Sequence, residues 1–81
     1  MRRSEIELSD AFSEVVKRHR VALNLSKARL AETSGLHQTY IGLLERGKRS
    51  PNIDTANGIA GALGITLSQL IEEAEKLASQ R

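Results

Sequence analysis

The segment HQTYIGLLERGKRSP, residues 37–51, reads as a short helix whose outward positions carry groups that recognise a partner. Ile41 and Leu44 lie on one face of such a helix, because residues three apart are neighbours on its surface. With that face turned inward, the opposite side presents Gln38, Thr39, Gly42, Leu43 and Arg46. Hydrogen-bonding amide, hydroxyl and guanidinium groups here contrast with the Glu and Lys that fill the outer face of an ordinary soluble helix.

Basic residues are concentrated in the middle of the chain around this segment. Residues 17–49 contain eight Lys or Arg and only two Asp or Glu, whereas acidic residues outnumber basic ones in residues 1–16 and 50–81. A basic middle in a chain whose net charge is only +2 is typical of a surface that binds a polyanion. A solvated helical surface with chance clustering gives the same pattern, so charge alone leaves both interpretations open.

The composition excludes several other classes of site and protein. A chain of 81 residues without Cys is one small domain that has neither a disulfide nor a zinc–thiolate site. The two histidines give a metal site little support, and His19 fits better as a packed residue at the edge of the core. We identify no catalytic residues and no cofactor site, because no nucleophile, base and orienting group can be paired.

The chain shows no targeting or membrane-spanning segment. Two arginines near the start are followed by no apolar run, so we expect no signal peptide there, and no stretch reaches the roughly 20 apolar residues of a membrane span. We therefore expect a cytoplasmic protein, associated with the nucleoid if it binds DNA.

Hydrophobic spacing predicts five short helices and no strands, which is an all-α fold. The expected helices span about residues 10–23, 27–34, 37–46, 53–63 and 67–78. Their expected N-caps are Ser9, Ser26, Asn52 and Thr66, with a poorer start at His37. Asn24, Gly35 and Gly64 are expected to end helices, since these residue types tolerate left-handed backbone geometry.

The fourth helix contains two glycines, Gly58 and Gly61, each of which costs about 1 kcal/mol relative to Ala inside a helix. Either they allow another helix to pack closely, or the fourth helix is intrinsically weak. The residue pattern does not decide between these alternatives.

The second and third helices, joined by a tight turn at Gly35, have the layout of a helix-turn-helix. Ala31 is small where the third helix crosses the second, and Leu36 fills the corner between them. A helix fits the major groove of DNA, and the residues at its N-terminus reach the base edges. This layout predicts that the outward residues of the third helix face DNA.

The segments RLAETSGLHQTYIGLLERGKRSPNIDT, residues 29–55, and ALGITLSQL, residues 62–70, resemble the Cro/C1-type, or XRE, family of helix-turn-helix regulators. The family includes small stand-alone repressors and the controller proteins of restriction–modification systems. The resemblance implies a compact five-helix, lambda-repressor-like domain that binds double-stranded DNA as a homodimer, with no small-molecule effector evident. The resemblance covers about residues 12–70. We expect the domain at 9–78, with the helix-turn-helix at 26–46 and dimerisation at 64–78, between a flexible arm, 1–8, and a tail, 79–81.

The resemblance also assigns roles to individual residues. Base contacts are implied for Gln38, Thr39, Gly42 and Leu43. Phosphate contacts are implied for Lys27, Tyr40, Lys48 and Arg49, and we expect a further one from Arg46, for which a surface salt bridge is the alternative. Gly42 and Leu43 replace the polar residues usual in relatives, so Leu43 is expected to meet a thymine methyl group and Gly42 to allow close approach. Lys27 replaces a frequent Gln, which keeps a cation near phosphate but loses the two-sided hydrogen bonding of an amide.

Two further sets of residues have structural roles in this interpretation. Glu45 lies on the inward side of the third helix, and the family implies that it forms a structural ion pair with Arg20. The apolar stripe of the fifth helix comprises Leu67, Leu70, Ile71, Ala74 and Leu77, and the expected dimer-interface residues are Ile65, Leu67, Ile71, Ala74 and Leu77. Either the whole stripe packs on the first helix, or part of it forms a two-fold dimer interface, which the family resemblance favours.

An antitoxin or protein-interaction adaptor on the same fold is the alternative function. Such an adaptor would lack salt-dependent binding to random duplex DNA, whereas a regulator would show it.

Overall fold

The computed structural model describes residues 7–80, and all the regular structure in that range is helical. The helices are α1 (Leu8–Ala22), α2 (Lys27–Ser34), α3 (Gln38–Glu45), α4 (Ile53–Ala62) and α5 (Leu67–Ser79). The predicted all-α fold with five helices is therefore confirmed. None of the helices in the described range is long and apolar enough to cross a membrane.

The capping residues set where most of the helices begin. The Ser26 hydroxyl accepts a hydrogen bond from the Arg29 amide at 3.0 Å, and the Asn52 side chain accepts one from Thr55 at 2.8 Å. Thr66 forms a complete capping box with Gln69. The Thr66 hydroxyl accepts a hydrogen bond from the Gln69 amide, and the Gln69 side chain accepts one from the Thr66 amide. These three predicted caps are confirmed.

The predicted cap of α1 at Ser9 is wrong. The helix begins at Leu8, after Glu7, and the amide of Ala11 already bonds to the Glu7 carbonyl at 3.0 Å. Ser9 lies inside the first turn, where its carbonyl accepts a bond from the Ser13 hydroxyl at 3.1 Å. The predicted arm, 1–8, thus contributes its last residue to α1, while residues 1–6 lie outside the described range. At the other end, α5 extends through Ser79, into the predicted tail.

The turn between α2 and α3 holds the two helices at a defined angle. Gly35 has a φ of 74°, and the amide of Leu36 bonds back to the Ala31 carbonyl at 2.8 Å. This pair of features closes α2 with a Schellman motif, which only a residue tolerant of left-handed geometry allows. Leu36 then packs against the core, as its predicted corner position requires.

The core contains at least one large, fully buried side chain from each helix. These side chains are Val16, Leu30, Ile41, Leu44, Ile59 and Leu70. The most extensive pairing joins α1 to α5, while α2 packs on both α3 and α4. The α1–α5 pair thus forms the body on which the helix-turn-helix is mounted.

The glycines of α4 are not required for close packing. A Cβ atom at Gly58 would lie 3.9 Å from the Ser34 carbonyl oxygen, which is an ordinary contact, and one at Gly61 would meet nothing within 4 Å. Of the two alternatives left open by the sequence, the intrinsically weak helix is therefore the one the structure favours.

Candidate nucleic-acid interface

The helix α3 is fixed to the body by its inward face. Ile41 and Leu44 are completely buried, and Tyr40 packs against the edge of the core while remaining half-exposed. No side chain caps the start of α3, because His37 forms no capping hydrogen bond, and the expected poor N-terminus is confirmed. The opposite face of this short helix is left for a partner.

The outward face of α3 contains three of the four predicted base-contacting residues. Gln38 and Thr39 are exposed at its N-terminus, and Leu43 is half-exposed one turn further on. Gly42 differs from the expectation, because it is buried. A glycine has no side chain to hold neighbours away, and the guanidinium of Arg46 lies over it, with Nη1 3.5 Å from the position of a Cβ atom.

A shallow groove of about 480 Å³, which we call the α3 groove, joins the outward residues of α3 to the start of α2. It is lined by Lys27, Gln38, Thr39, Gly42 and Arg46. Two cations therefore share one concave surface with the amide and the hydroxyl. Lys27 is the first residue of α2, where the Ser26 cap fixes the backbone that carries it.

The remaining predicted phosphate contacts lie just beyond α3. Gly47, with a φ of 74°, closes the helix, and the amide of Lys48 bonds to the Leu43 carbonyl at 2.8 Å. This bond holds the backbone of Lys48 against the end of the helix, while the side chains of Lys48 and Arg49 are exposed. Neither side chain forms a salt bridge with a carboxylate in residues 7–80, so both cations are presented to solvent.

The predicted ion pair between Arg20 and Glu45 is present in the structure. Nε of Arg20 donates to Oε2 of Glu45 at 2.7 Å, and Nη2 donates to Oε1 at 2.9 Å. The side chains are 11% and 3% exposed, respectively. Hydrogen bonding to the Glu45 carboxylate is the main cause that raises the pKa of Arg20, and burial opposes it. The pair ties the end of α3 to α1.

The predicted dimer stripe divides into two groups. Ala74 and Leu77 are buried in the core of the single chain, where α1 and α5 pair, so their prediction as interface residues is corrected. A helix that completes a small core turns much of its apolar stripe inward. Ile65, Leu67 and Ile71 are only partly buried and keep surface available to a partner.

Leu67 and Ile71 also line an apolar cleft of about 290 Å³ between α1, α4 and α5. The other lining residues are Leu8, Ser9, Phe12, Ser50, Pro51, Ile53 and Ala56. Ile53 stands at its rim and is 73% exposed, more than any other large apolar side chain among residues 7–80. Ile53 was predicted only as the first residue of α4, and its exposure was not predicted. The available signal in the sequence was a large apolar residue directly after the Asn52 cap.

A polar contact between α1 and α5 was also missed. Nε2 of His19 lies 2.8 Å from Oε1 of Glu73, and both side chains are partly exposed. The predicted position of His19 at the edge of the core agrees with this. Among residues 7–80, no three His, Asp or Glu side chains cluster in a way that could hold a metal ion.

Two buried residues anchor α3, α2 supports it across a glycine turn, and the outward groove is basic. These features define a helix-turn-helix protein. A helix-turn-helix family model matches residues 16–70, so the chain belongs to this family, in its Cro/C1-type branch. The chain is similar to the control protein C.SmaI of Serratia marcescens, with 38% identity over 66 residues that cover 82% of this chain and 79% of the relative.

Solved structures agree with this assignment. The restriction–modification controller protein C.AhdI of Aeromonas hydrophila superposes with a TM-score of 0.72 at 35% identity, covering 78% of this chain and 94% of that one. The controller protein C.Esp1396I bound to a 25 base pair operator superposes with a TM-score of 0.80 at 29% identity, covering 89% of this chain and 95% of that one.

Proposed function

We propose that this chain is a sequence-specific, dimeric DNA-binding transcriptional regulator of the restriction–modification controller type. The observation that carries the proposal is the α3 groove, in which Gln38 and Thr39 stand exposed at the start of an anchored helix between two cations. The similarity to control proteins, one of them solved on an operator, supports the same function.

In this function the N-terminal half of α3 enters the major groove and reads base edges. The side chain of Gln38 can form two hydrogen bonds with N6 and N7 of an adenine, and the Thr39 hydroxyl can donate or accept one. Leu43, one turn later, meets the methyl group of a thymine. These three contacts specify the half-site.

Phosphate contacts hold α3 in register on the duplex. Lys27 approaches the backbone from the start of α2, and Tyr40 from the half-exposed side of α3. Lys48 and Arg49 approach it from the loop beyond α3. Because each neutralised phosphate releases a counterion, the logarithm of affinity is expected to fall linearly with the logarithm of salt concentration.

A second copy of the chain covers the apolar cleft in this proposal. Ile53, Leu67 and Ile71 would otherwise leave contiguous apolar surface in water, and a two-fold axis there makes a self-complementary interface. The two α3 helices then enter successive major grooves about 34 Å apart. Operator occupancy would follow protein concentration, because only the dimer contacts both half-sites. The protein could in this way control its own gene without an effector.

Selection of bound sequences from random duplex DNA tests the proposal, followed by a footprint on the promoter of the protein's own gene. We expect an enriched, two-fold symmetric site with half-site centres one helical turn apart, and protection of that promoter. An absence of enrichment, together with no salt-dependent binding to random duplex, would refute the regulator and favour the adaptor function.

A further inference from the structure

Arg46 follows the last residue of α3, but its charged end lies back along the helix. Nη1 lies 3.5 Å from the position that a Cβ atom of Gly42 would occupy, and the Arg46 amide bonds to the Gly42 carbonyl at 3.2 Å. Gly42 is buried, although it lines the α3 groove with the exposed residues Gln38, Thr39 and Arg46. The missing side chain at position 42 therefore opens the path along which the guanidinium lies.

This path brings the guanidinium into the α3 groove with Gln38 and Thr39. Side chains on a helix point toward its N-terminus, so Arg46 acts about one turn closer to the reading edge than its backbone position indicates. Lys48 and Arg49, in contrast, lie beyond the turn and do not line this groove.

The donors of Arg46 are not engaged by a carboxylate within residues 7–80. Its neighbour in the chain, Glu45, is already bound by two hydrogen bonds to Arg20. An exposed guanidinium in a groove beside base-reading side chains is thus free to donate two parallel hydrogen bonds.

We propose that Arg46 reads a guanine in each half-site, donating to its O6 and N7, and that Gly42 is the residue that positions it. This inference rests on the proposed DNA-binding function and changes the expected role of Arg46 from phosphate contact to base contact. Arginine paired with these two guanine atoms is the commonest specific contact in the major groove, and the planar fork supplies the required geometry.

The first test uses the operator obtained by selection and replaces each guanine in turn with 7-deazaguanine, which lacks the N7 acceptor. For the protein without substitutions, replacing one particular guanine in each half-site is expected to lower the affinity about tenfold or more. Arg46→Met keeps an unbranched side chain but has no hydrogen-bond donor, so it is expected to bind the native operator correspondingly more weakly and to lose the penalty at that guanine alone. Random duplex affinity should fall by a much smaller factor than operator affinity.

The second test separates positioning from contact. In Gly42→Ala the added methyl group is in ordinary contact with the guanidinium, so guanine preference should persist. In Gly42→Gln the longer side chain occupies the path of Arg46, and the same guanine preference should be lost. Circular dichroism and thermal melting verify that both variants are folded.

Two results would overturn the inference, and they differ from a failure of the proposed function. One is an Arg46→Met variant that keeps the full 7-deazaguanine penalty at every guanine. The other is an equal loss on operator and random duplex, which is the behaviour of a phosphate contact. If selection yields no operator at all, the DNA-binding function itself fails, and this inference fails with it.

Discussion

The guanidinium of Arg20 on α1 donates two hydrogen bonds, of 2.7 and 2.9 Å, to the carboxylate of Glu45 at the end of α3. A third bond, from Nη1 of Arg20 to the Leu25 carbonyl at 2.8 Å, fixes the same guanidinium to the loop before α2. One side chain therefore joins the body to both ends of the helix-turn-helix. Arg46, the proposed guanine reader, is the next residue after Glu45, so this pair also orients its backbone.

The variant Glu45→Gln should lower the free energy of unfolding by about 2–4 kcal/mol. It leaves the mostly buried guanidinium of Arg20 without a counter-charge, and breaking a buried pair from one side costs about 3–5 kcal/mol when burial is complete. Urea denaturation at pH 7 measures the change. The pKa of Arg20 is raised, so its share of the stability is fully present below the usual guanidinium pKa and is lost only as pH rises above it.

The matched control for this change is Glu32→Gln. Glu32 also pairs with an arginine, Arg29, at 3.6 Å, but both side chains are largely exposed. An exposed pair contributes at most about 1 kcal/mol, so the control should lose little stability. Equal losses in the two variants would mean that the Arg20–Glu45 pair has no special structural role.

Local patterns were sufficient to predict most of the fold. The inward pair Ile41 and Leu44 follows from helical spacing, and the caps at Ser26 and Thr66 follow from residue type and position. The partner of Glu45 could not be predicted from local patterns, because Arg20 lies 25 positions away. Only the family resemblance connected the two residues.

The missed features depend on tertiary packing that a linear pattern does not contain. The apolar stripe of α5 gives no indication that Ala74 is covered by its own chain while Ile71 is left partly open. Gly42 was expected to be open, but the flexible side chain of Arg46 covers it. The cap predicted at Ser9 was wrong because α1 begins at Leu8, before the first residues of the apolar pattern from which its start was predicted.

Replacing Gly61 with Ala should stabilise the protein by about 0.5–1 kcal/mol. The added methyl group meets nothing within 4 Å, and Ala has a higher helix propensity than Gly at this position in the last turn of α4. Thermal melting should show a higher midpoint. Gly64→Ala is the contrasting control: its φ of 79° penalises any side chain, so its midpoint should fall. A lower midpoint for Gly61→Ala would contradict the interpretation of α4 as an intrinsically weak helix.

Replacing Lys48 with Ala should weaken binding to operator and random duplex DNA by similar factors. If Lys48 neutralises one phosphate per protomer, the slope of log affinity against log salt should become less steep by about 2 for the dimer. Fluorescence anisotropy over a salt series measures both quantities. Lys76→Ala on α5 removes the same charge, from a residue paired with Glu72, and should leave the slope unchanged. A change in sequence preference would instead place Lys48 at a base.

Replacing Gln38 with Ala should change the base preferred at one position of each half-site. The lost bidentate contact is worth about 1–3 kcal/mol of discrimination, whereas phosphate contacts and the salt slope remain. Repeating the selection from random duplex DNA with the variant gives the new preference directly. An unchanged preference at all positions would show that Gln38 does not read bases, even if affinity fell.

Replacing Ile53 with Glu should convert the proposed dimer to a monomer. Ile53 is 73% exposed at the rim of the apolar cleft, so a charge there leaves the fold intact but would be desolvated against a second copy. Sedimentation equilibrium measures the association state. Operator binding should weaken, and its dependence on protein concentration should become steeper. Val21→Glu places the same charge at another exposed apolar site, 54% exposed on α1, and should stay dimeric. A persistent Ile53→Glu dimer would exclude the apolar cleft as the interface.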